Sequence, residues 1–336
     1  MAETSSRAGR VAREHDRNRG LDLLRATEAA AIAAGRWLGR GDRAGTLAAA
    51  EQVMGESLGD GAWHARVVLG TETVNGSLNP GRILGYGRDA FDLAVVPVDG
   101  VSLVAKGSSH ALSVAVLTEP GGLLSPPPIA YFHKIAVGPG AVGAIDIRDT
   151  PENNLRRVAF ATDRSVTDLT VIMLDRPRHQ PLMERIRLLG ARITLVSDGD
   201  VGAAMLAAWL STGIDVFIGA GGPKEAVVAA SAIRCMGGDM QCRPWVRHTE
   251  EEALMRSIGC DPESVFTLDD LVPGKDVSVA VTGISGGGVL RGVQYHTGWS
   301  ESHSLVMRSR TGTVREVQTR HHLGRPTDRG THGDHV

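Results

Sequence analysis

The chain has 336 residues, of which 42% are hydrophobic and 22% are charged, and these values are sufficient for a sizeable buried core. Its 36 basic and 38 acidic residues give a formal net charge of −2, which excludes the strong positive field of a nucleic-acid-binding protein. No apolar run approaches the roughly 20 residues of a membrane span, and the charged N-terminus lacks the apolar core of a secretory signal. We therefore expect a globular, cytoplasmic protein that binds neither nucleic acid nor membrane.

The two ends of the chain differ in character from the body between them. Residues 1–19 and 320–336 are polar, charged and aperiodic, which predicts disordered tails. The body contains three cysteines whose spacing matches no zinc pattern, and we interpret them as reduced and structural. They are Cys235, Cys242 and Cys260.

The first half of the body is predicted to contain two helices followed by strands. Apolar residues at helical spacing predict one helix that starts at Leu21 and stops at Gly39, and a second helix from about Thr46 to Leu58. Apolar runs bounded by glycine or proline then predict three strands. These runs are 65–70, 92–100 and 111–120, and the second of them is interrupted by Pro97.

The second half alternates between apolar strands and helical patterns, which is typical of βαβ units. The predicted strands are 169–174, 193–197 and 214–222, and each is followed by a helical pattern. This alternation indicates an α/β protein with two closely packed lobes. We place an N-terminal α+β lobe at 20–150 and a C-terminal α/β lobe at 151–319.

Three polar turns follow the predicted strands of the second lobe, and ligands of open α/β sheets bind at such carboxyl ends. The first turn contains Arg176 and Arg178, whose guanidinium groups can hold phosphate oxygens in bidentate fashion. In the second turn, one of Asp198 and Asp200 can cap the next helix, which leaves the other for sugar hydroxyl groups. The third turn, GAGGPKE, begins at residue 219 and can cradle an anion at a helix N-terminus. We expect these turns to share one crevice.

Several motifs, taken together and in order, resemble class II fructose-1,6-bisphosphatases. These motifs are WLGRGD at 37–42, the segment 135–159 that begins IAVGPGAVGAID, and then PRH, DGDV, GAGGPKE and VAVTGIS. The resemblance spans about 20–318. It implies a layered αβαβα sandwich of the sugar-phosphatase superfamily, in which two divalent metal ions activate water against a sugar phosphate. It also implies a homo-oligomer.

The resemblance carries over a set of substrate contacts and fewer metal ligands. The candidate substrate-binding residues are Tyr131, Lys134, Arg176, Arg178, His179, Asp198, Asp200 and Gly222. Asp99 and Glu225 remain as the candidate catalytic and metal-ligating residues, for a weakly held Mg²⁺ or Mn²⁺, or for none.

Three positions at which the family has acidic metal ligands are not acidic in this chain. They are occupied by Leu47, Thr71 and Val96, and Glu72 lies one residue too far along its strand, where its side chain points to the other face. Hard divalent cations require several oxygen ligands, so these replacements remove both charge and coordination.

Three functions are compatible with this pattern. The first is hydrolysis of a sugar phosphate or bisphosphate at an altered metal site, with one Mg²⁺ or Mn²⁺ held by Asp99, Glu225 and the substrate phosphate. The second is a sugar-phosphate isomerase, epimerase, cyclase or lyase that uses His179, Asp198 or Lys134 as acid or base. The third is a non-catalytic protein that binds a sugar phosphate, in which Asp99 and Glu225 are relics.

Overall fold

The computed structural model describes residues 19–322, so most of the two predicted tails lies outside the described residues. The helices of this part are α1 (Gly20–Gly35), α2 (Arg43–Gly59), α3 (Val101–Lys106), α4 (Pro151–Ala161), α5 (Gln180–Leu188), α6 (Asp200–Ala208), α7 (Pro223–Met236), α8 (Thr249–Ser257) and α9 (Leu268–Leu271). The strands are β1 (His64–Leu69), β2 (Ile83–Leu84), β3 (Ala90–Asp99), β4 (Leu112–Thr118), β5 (Phe132–Val137), β6 (Thr170–Leu174), β7 (Arg192–Val196), β8 (Val216–Gly221), β9 (Asp239–Pro244), β10 (Ser278–Gly283), β11 (Gln294–His296), β12 (Trp299–Arg308) and β13 (Thr313–His322).

The strands form two sheets that alternate with three layers of helices. One sheet has eight strands in the order β11-β12-β10-β4-β3-β1-β2, with β13 paired to β12, and the other has five in the order β7-β6-β8-β5-β9. Helices α1 and α2 cover the outer face of the larger sheet, α4 and α5 cover the outer face of the smaller one, and α6 and α7 lie between the sheets. The predicted αβαβα sandwich is confirmed.

Two helix ends in the first half differ from the predicted positions. Helix α2 starts at Arg43 and not at Thr46, because the Asp42 side chain accepts a 2.8 Å hydrogen bond from the Gly45 amide and caps the helix earlier. Helix α1 ends at Gly35, and the chain turns before it reaches Gly39.

The predicted interruption of the second strand at Pro97 is wrong. Strand β3 continues through Pro97 to Asp99, and its pairing with β4 shifts register between Val96 and Asp99. A bulge accommodates the residue that cannot donate a ladder hydrogen bond, and the strand continues past it.

The sheets do not follow the predicted lobe boundary at residue 150. Strand β5 pairs with β8 and β9 in the smaller sheet, although it lies in the predicted first lobe. Strands β10 to β13 return to the larger sheet, where β10 pairs antiparallel with β4, which is buried along its whole length. The predicted tail from residue 320 is also corrected, because β13 extends to His322.

The three cysteines are free thiols, as expected for reduced, structural residues. Burial raises the pKa of the Cys235 and Cys242 thiols to about 12, which leaves both groups protonated and unreactive at neutral pH. In the described part of the chain, no helix combines the length and the apolar character needed to cross a membrane.

Trp63 fixes the junction of α2 and β1 and provides a test of the fold. Its indole is fully buried, and Nε1 donates a 3.1 Å hydrogen bond to the Leu58 carbonyl. Trp63→Ala should lower the free energy of unfolding in urea by about 3–5 kcal/mol, because it leaves a cavity. Leu188→Ala is the control, since Leu188 is 88% exposed, and it should change stability by less than about 0.5 kcal/mol. Equal effects of the two variants would contradict this packing.

Candidate functional site

A cleft of about 530 Å³ opens between the two sheets at the carboxyl ends of β3, β6, β7 and β8. The starts of α3, α6 and α7 also reach it, so backbone amides at helix N-termini face the same space. Its walls contain apolar residues from β3 on one side and charged side chains from the strand-to-helix turns on the other. The lining residues are Val96, Val98, Asp99, Gly100, Val101, Tyr131, Leu174, Arg176, Arg178, Asp198, Asp200, Gly221, Gly222 and Glu225.

The three predicted turns meet in this cleft. Each turn follows a strand of the smaller sheet, and β6, β7 and β8 are parallel, so their carboxyl ends lie at one edge. Eight of the ten predicted site residues line the cleft. Lys134 and His179 lie behind its wall.

The deepest polar feature is an ion pair between Lys134 and Asp200. Lys134 Nζ lies 2.6 Å from Asp200 Oδ2 and donates a second hydrogen bond of 2.7 Å to the Gly222 carbonyl. Both side chains are buried. Burial raises the pKa of Asp200, the Lys134 ammonium opposes this shift, and the nearby Glu225 adds to it. Gly221 has to be glycine here, because a Cβ would overlap with the Asp200 carboxylate.

The predicted helix cap in the DGDV turn is wrong. Helix α6 begins at Asp200 with Gly199 in the N-cap position, and neither Asp198 nor Asp200 caps it through its side chain. Instead, Asp99 Oδ2, at the end of β3, accepts a 2.9 Å hydrogen bond from the Gly202 amide. A carboxylate of the larger sheet therefore satisfies an amide in the first turn of a helix that packs on the smaller sheet.

Asp99 is buried in the middle of the other carboxylates. Burial raises the pKa of Asp99 well above its usual range, and Asp200, Glu225 and Asp198 add to the shift, while the Gly202 amide opposes it. The carboxylates of the cleft are thus close enough to repel one another, and the site favours any cation that enters.

Asp198 and Arg176 face each other across the mouth of the cleft. Arg176 Nη2 lies 3.5 Å from Asp198 Oδ1, and the Ser102 hydroxyl donates a short hydrogen bond to Asp198 Oδ2. Both charged side chains remain partly exposed, so either can exchange its partner for a ligand.

Arg178 and Tyr131 form one corner of the cleft together with a residue that the sequence did not indicate. The guanidinium groups of Arg178 and Arg247 each lie 4.8 Å from the centre of the Tyr131 ring. Arg178 Nη2 donates a 2.8 Å hydrogen bond to the Ala220 carbonyl, and its buried Nε has no hydrogen-bond partner within residues 19–322. Arg247 follows a strand of the smaller sheet, as Arg176 and Arg178 do. Its place after a strand is the only feature of the sequence that could have identified Arg247 as a candidate.

His179 does not have the geometry of a substrate contact. Its Nδ1 lies 2.8 Å from the Leu174 carbonyl, and its Nε2 accepts a 3.0 Å hydrogen bond from the Ala220 amide. Burial lowers the pKa of His179, in agreement with a neutral ring that donates from Nδ1. Both nitrogens are thus occupied by the backbone, and the ring supports the turn that carries Arg178.

The three positions at which the resemblance predicts acidic metal ligands do not all lie at the cleft. Val96 lines its apolar wall, whereas Leu47 lies in a separate hollow beside Glu51. The Thr71 hydroxyl donates a 2.8 Å hydrogen bond to the buried Glu51 carboxylate, and Glu72 is exposed. Glu51 was not singled out from the sequence, since a single glutamate in a helix gives no signal.

The donor set limits the kind of metal site that can form. Among the described residues, no group of three or more His, Cys, Asp or Glu side chains is arranged to hold a metal ion. Asp99 and Glu225 supply hard oxygen donors in one cleft. The residues therefore fit a divalent cation whose shell is completed by a substrate phosphate, and they do not fit a cation held by the protein alone.

Comparisons with known proteins agree with the motif order. The family described as bacterial fructose-1,6-bisphosphatase, glpX-encoded, matches residues 17–321. A relative from Synechococcus sp. (strain JA-2-3B'a(2-13)), named D-fructose 1,6-bisphosphatase class 2/sedoheptulose 1,7-bisphosphatase, is 36% identical over 91% of this chain and 96% of its own length. Fructose-1,6-bisphosphatase 1 class 2 of Escherichia coli (strain K12) is 34% identical over 91% of this chain and 95% of its own length.

The Lys134–Asp200 pair should be essential for stability. Lys134→Met leaves a buried carboxylate without its cation and should lower the free energy of unfolding by about 3–5 kcal/mol. Arg185→Met is a matched control, because Arg185 also pairs at 2.6 Å, with Glu152, but on the surface, and its loss should cost less than about 1 kcal/mol. Urea unfolding measures both.

The double variant Lys134→Met/Asp200→Leu should lose less free energy of unfolding than the two single variants together. Strict additivity of the two losses would contradict the pairing.

His133 should make stability depend on pH. Burial, Arg243 and His179 lower the pKa of His133 to about 4, from 6.5 in the unfolded chain. Between these values the unfolded state binds more protons, so the stability present above pH 6.5 is lost as pH falls towards about 4. His133→Gln should weaken this fall in melting temperature, and the exposed His64→Gln should not. His179 contributes in the same direction. An unchanged pH profile in His133→Gln would refute the assignment.

Proposed function

Since the chain belongs to the class II, glpX-encoded fructose-1,6-bisphosphatase family, we propose that it hydrolyses a phosphate monoester of a sugar bisphosphate in the cleft between its sheets. The observation that carries this proposal is the gathering of Arg176, Arg178 and Asp198 around one cleft, within a family match that covers almost the whole chain. Fructose 1,6-bisphosphate is the first substrate to test.

The cleft has separate groups for the two parts of such a substrate. Arg176 and Arg178 provide guanidinium groups that suit phosphate oxygens, and the Nε of Arg178, which has no partner among residues 19–322, is a donor available to one of them. Arg247 stacks on the Tyr131 ring and is paired with Glu251. The Asp198 carboxylate can accept hydrogen bonds from sugar hydroxyl groups once Arg176 turns to the phosphate. Asp200, which the sequence suggested for the same role, is held on one oxygen by Lys134.

Family membership supports a divalent metal in general, and we propose Mg²⁺ or Mn²⁺ as that metal. Asp99 and Glu225 would hold it together with the substrate phosphate. When bound, the metal would polarise a phosphoryl oxygen and lower the pKa of a coordinated water. The Gly202 amide orients the Asp99 carboxylate for this role, and the start of α7 orients Glu225.

The two alternative functions receive no support from the comparisons. The Synechococcus and Escherichia coli relatives are named as bisphosphatases, and an isomerase or lyase would need a free acid or base in the cleft. His179 has both nitrogens bound to the backbone, and Lys134 is bound to Asp200 and Gly222. The assignment of these two residues as acid or base is therefore not favoured.

We also propose that the protein is a homo-oligomer. The exposed apolar side chains of Val142 and Phe160, which are 57% and 90% exposed, lie together beside α4 and support this proposal. Burial of such a patch against a second copy would remove apolar surface from water.

Phosphate release from fructose 1,6-bisphosphate tests the proposed function. With Mg²⁺ or Mn²⁺ the wild-type chain should release phosphate, and Arg178→Ala should lower kcat/KM by about 10- to 100-fold through the loss of a charged hydrogen bond. Arg25→Ala is the control, because Arg25 is exposed on the outer helix α1, and it should be unaffected. Absence of phosphate release by the wild type from both fructose 1,6-bisphosphate and sedoheptulose 1,7-bisphosphate, with either metal, would rule out the proposal.

A further inference from the structure

Lysine is rare in this chain, and two of its lysines contact residues that line the cleft. Only four of the 36 basic residues are lysines, at positions 106, 134, 224 and 275. Lys134 forms the buried ion pair with Asp200. Lys224 lies in the first turn of α7, directly before Glu225, and the proposed hydrolysis leaves it without a role.

The Lys224 ammonium bridges the two sheets. Its Nζ donates a 2.9 Å hydrogen bond to the carbonyl of Gly70, the residue that follows β1 in the larger sheet. The lysine itself follows β8 of the smaller sheet. The same Nζ lies 3.8 Å from Glu225 Oε1, which is an ion-pair distance but too long for a hydrogen bond. An ammonium has three N–H donors, so two of them have no hydrogen-bond partner among residues 19–322.

Glycines allow close packing around both partners of this ammonium. A Cβ on Gly70 would overlap with the Leu78 carbonyl, so the chain at Gly70 packs too closely for any other residue. A Cβ on Gly222 would likewise overlap with the Glu225 carboxylate, which is folded back over the start of α7. The Lys224 side chain remains 33% exposed, so a ligand can reach its ammonium.

The four carboxylates of the cleft differ in how their negative charge is balanced, and Lys224 is the cation nearest to one of them. Asp200 is paired with Lys134, and Asp198 is paired with Arg176. Glu225 has Lys224 as its cationic neighbour, and Asp99 accepts a hydrogen bond from the neutral Gly202 amide. A phosphate group that enters this end of the cleft meets two carboxylates and the aliphatic wall of β3, and it requires a positive charge to bind there.

We propose that Lys224 is a phosphate-binding residue whose ammonium supplies, from within the chain, positive charge that a cation would otherwise bring to the Asp99–Glu225 end of the cleft. The two unused N–H groups donate to phosphoryl oxygens, while the third holds Gly70. A sugar bisphosphate therefore binds in the absence of divalent metal. This inference rests on the proposed function for the identity of the ligand, but it concerns binding and not hydrolysis.

Calorimetric titration of the full chain with fructose 1,6-bisphosphate in excess EDTA tests the inference. The wild type should bind, Lys224→Met should bind about 10- to 100-fold more weakly, and Lys224→Arg should retain most of the affinity. Lys275→Met is the control, since Lys275 is exposed and its backbone contacts Glu119 and Ser309, which do not line the cleft, and it should match the wild type. Equal affinity of Lys224→Met and the wild type would overturn the inference, as would a failure of the wild type to bind in EDTA.

Two further measurements distinguish phosphate binding by Lys224 from a purely structural role. If Lys224 only tethers Gly70, Lys224→Met will lower the melting temperature without ligand and leave the affinity unchanged, which would overturn the inference. Inorganic phosphate alone should raise the melting temperature of the wild type in EDTA more than that of Lys224→Met. If the wild type releases no phosphate from the sugar bisphosphate but shows Lys224-dependent binding, the proposed hydrolysis fails and this inference stands.

Discussion

The buried ion pair between Lys134 and Asp200 is the constraint on which the cleft depends. It connects β5 to the start of α6, and the second hydrogen bond of Lys134, to the Gly222 carbonyl, adds the start of α7. Two charges buried in this way lose their hydration, so the pair is favourable only with short, well-directed contacts such as these. Because the glycine at 221 lets the carboxylate approach β8, the ion pair joins the smaller sheet to the starts of its two inner helices.

Asp99 connects this part of the fold to the larger sheet. Asp99 accepts a hydrogen bond from the Gly202 amide in the first turn of α6. It thereby takes the place of a side-chain cap, which the DGDV turn does not provide. Two hydrogen bonds thus connect the two parts of the fold near the cleft, from the Gly202 amide to Asp99 and from Lys224 to the Gly70 carbonyl. Asp99 has a structural role as well as a proposed catalytic one, so loss of activity in an Asp99 variant would not by itself identify a metal ligand.

The sequence was informative where a pattern is local and less so where partners are distant along the chain. The alternation of apolar strands and helices predicted the α/β class, and the position of turns after parallel strands predicted that Arg176, Asp198 and Glu225 share a cleft. The return of β10 to pair with β4 could not be predicted, because sheet pairing depends on edges that periodicity does not describe. The backbone contacts of His179 could not be predicted for the same reason, since the Leu174 and Ala220 groups that occupy its nitrogens are visible only in three dimensions.

The charge balance of the cleft depends on cations that the chain itself provides. Val96 contributes an aliphatic side chain to the cleft, and Leu47 and Glu51 lie in a separate hollow, where the Thr71 and Thr73 hydroxyls donate hydrogen bonds to Glu51. With fewer carboxylates to hold metal, an arrangement with an intrinsic cation becomes more favourable, because Lys224 needs no ligand set of its own. Under the proposal for Lys224, positive charge at the Asp99–Glu225 end of the cleft comes from the chain itself, beside the aliphatic wall to which Val96 belongs.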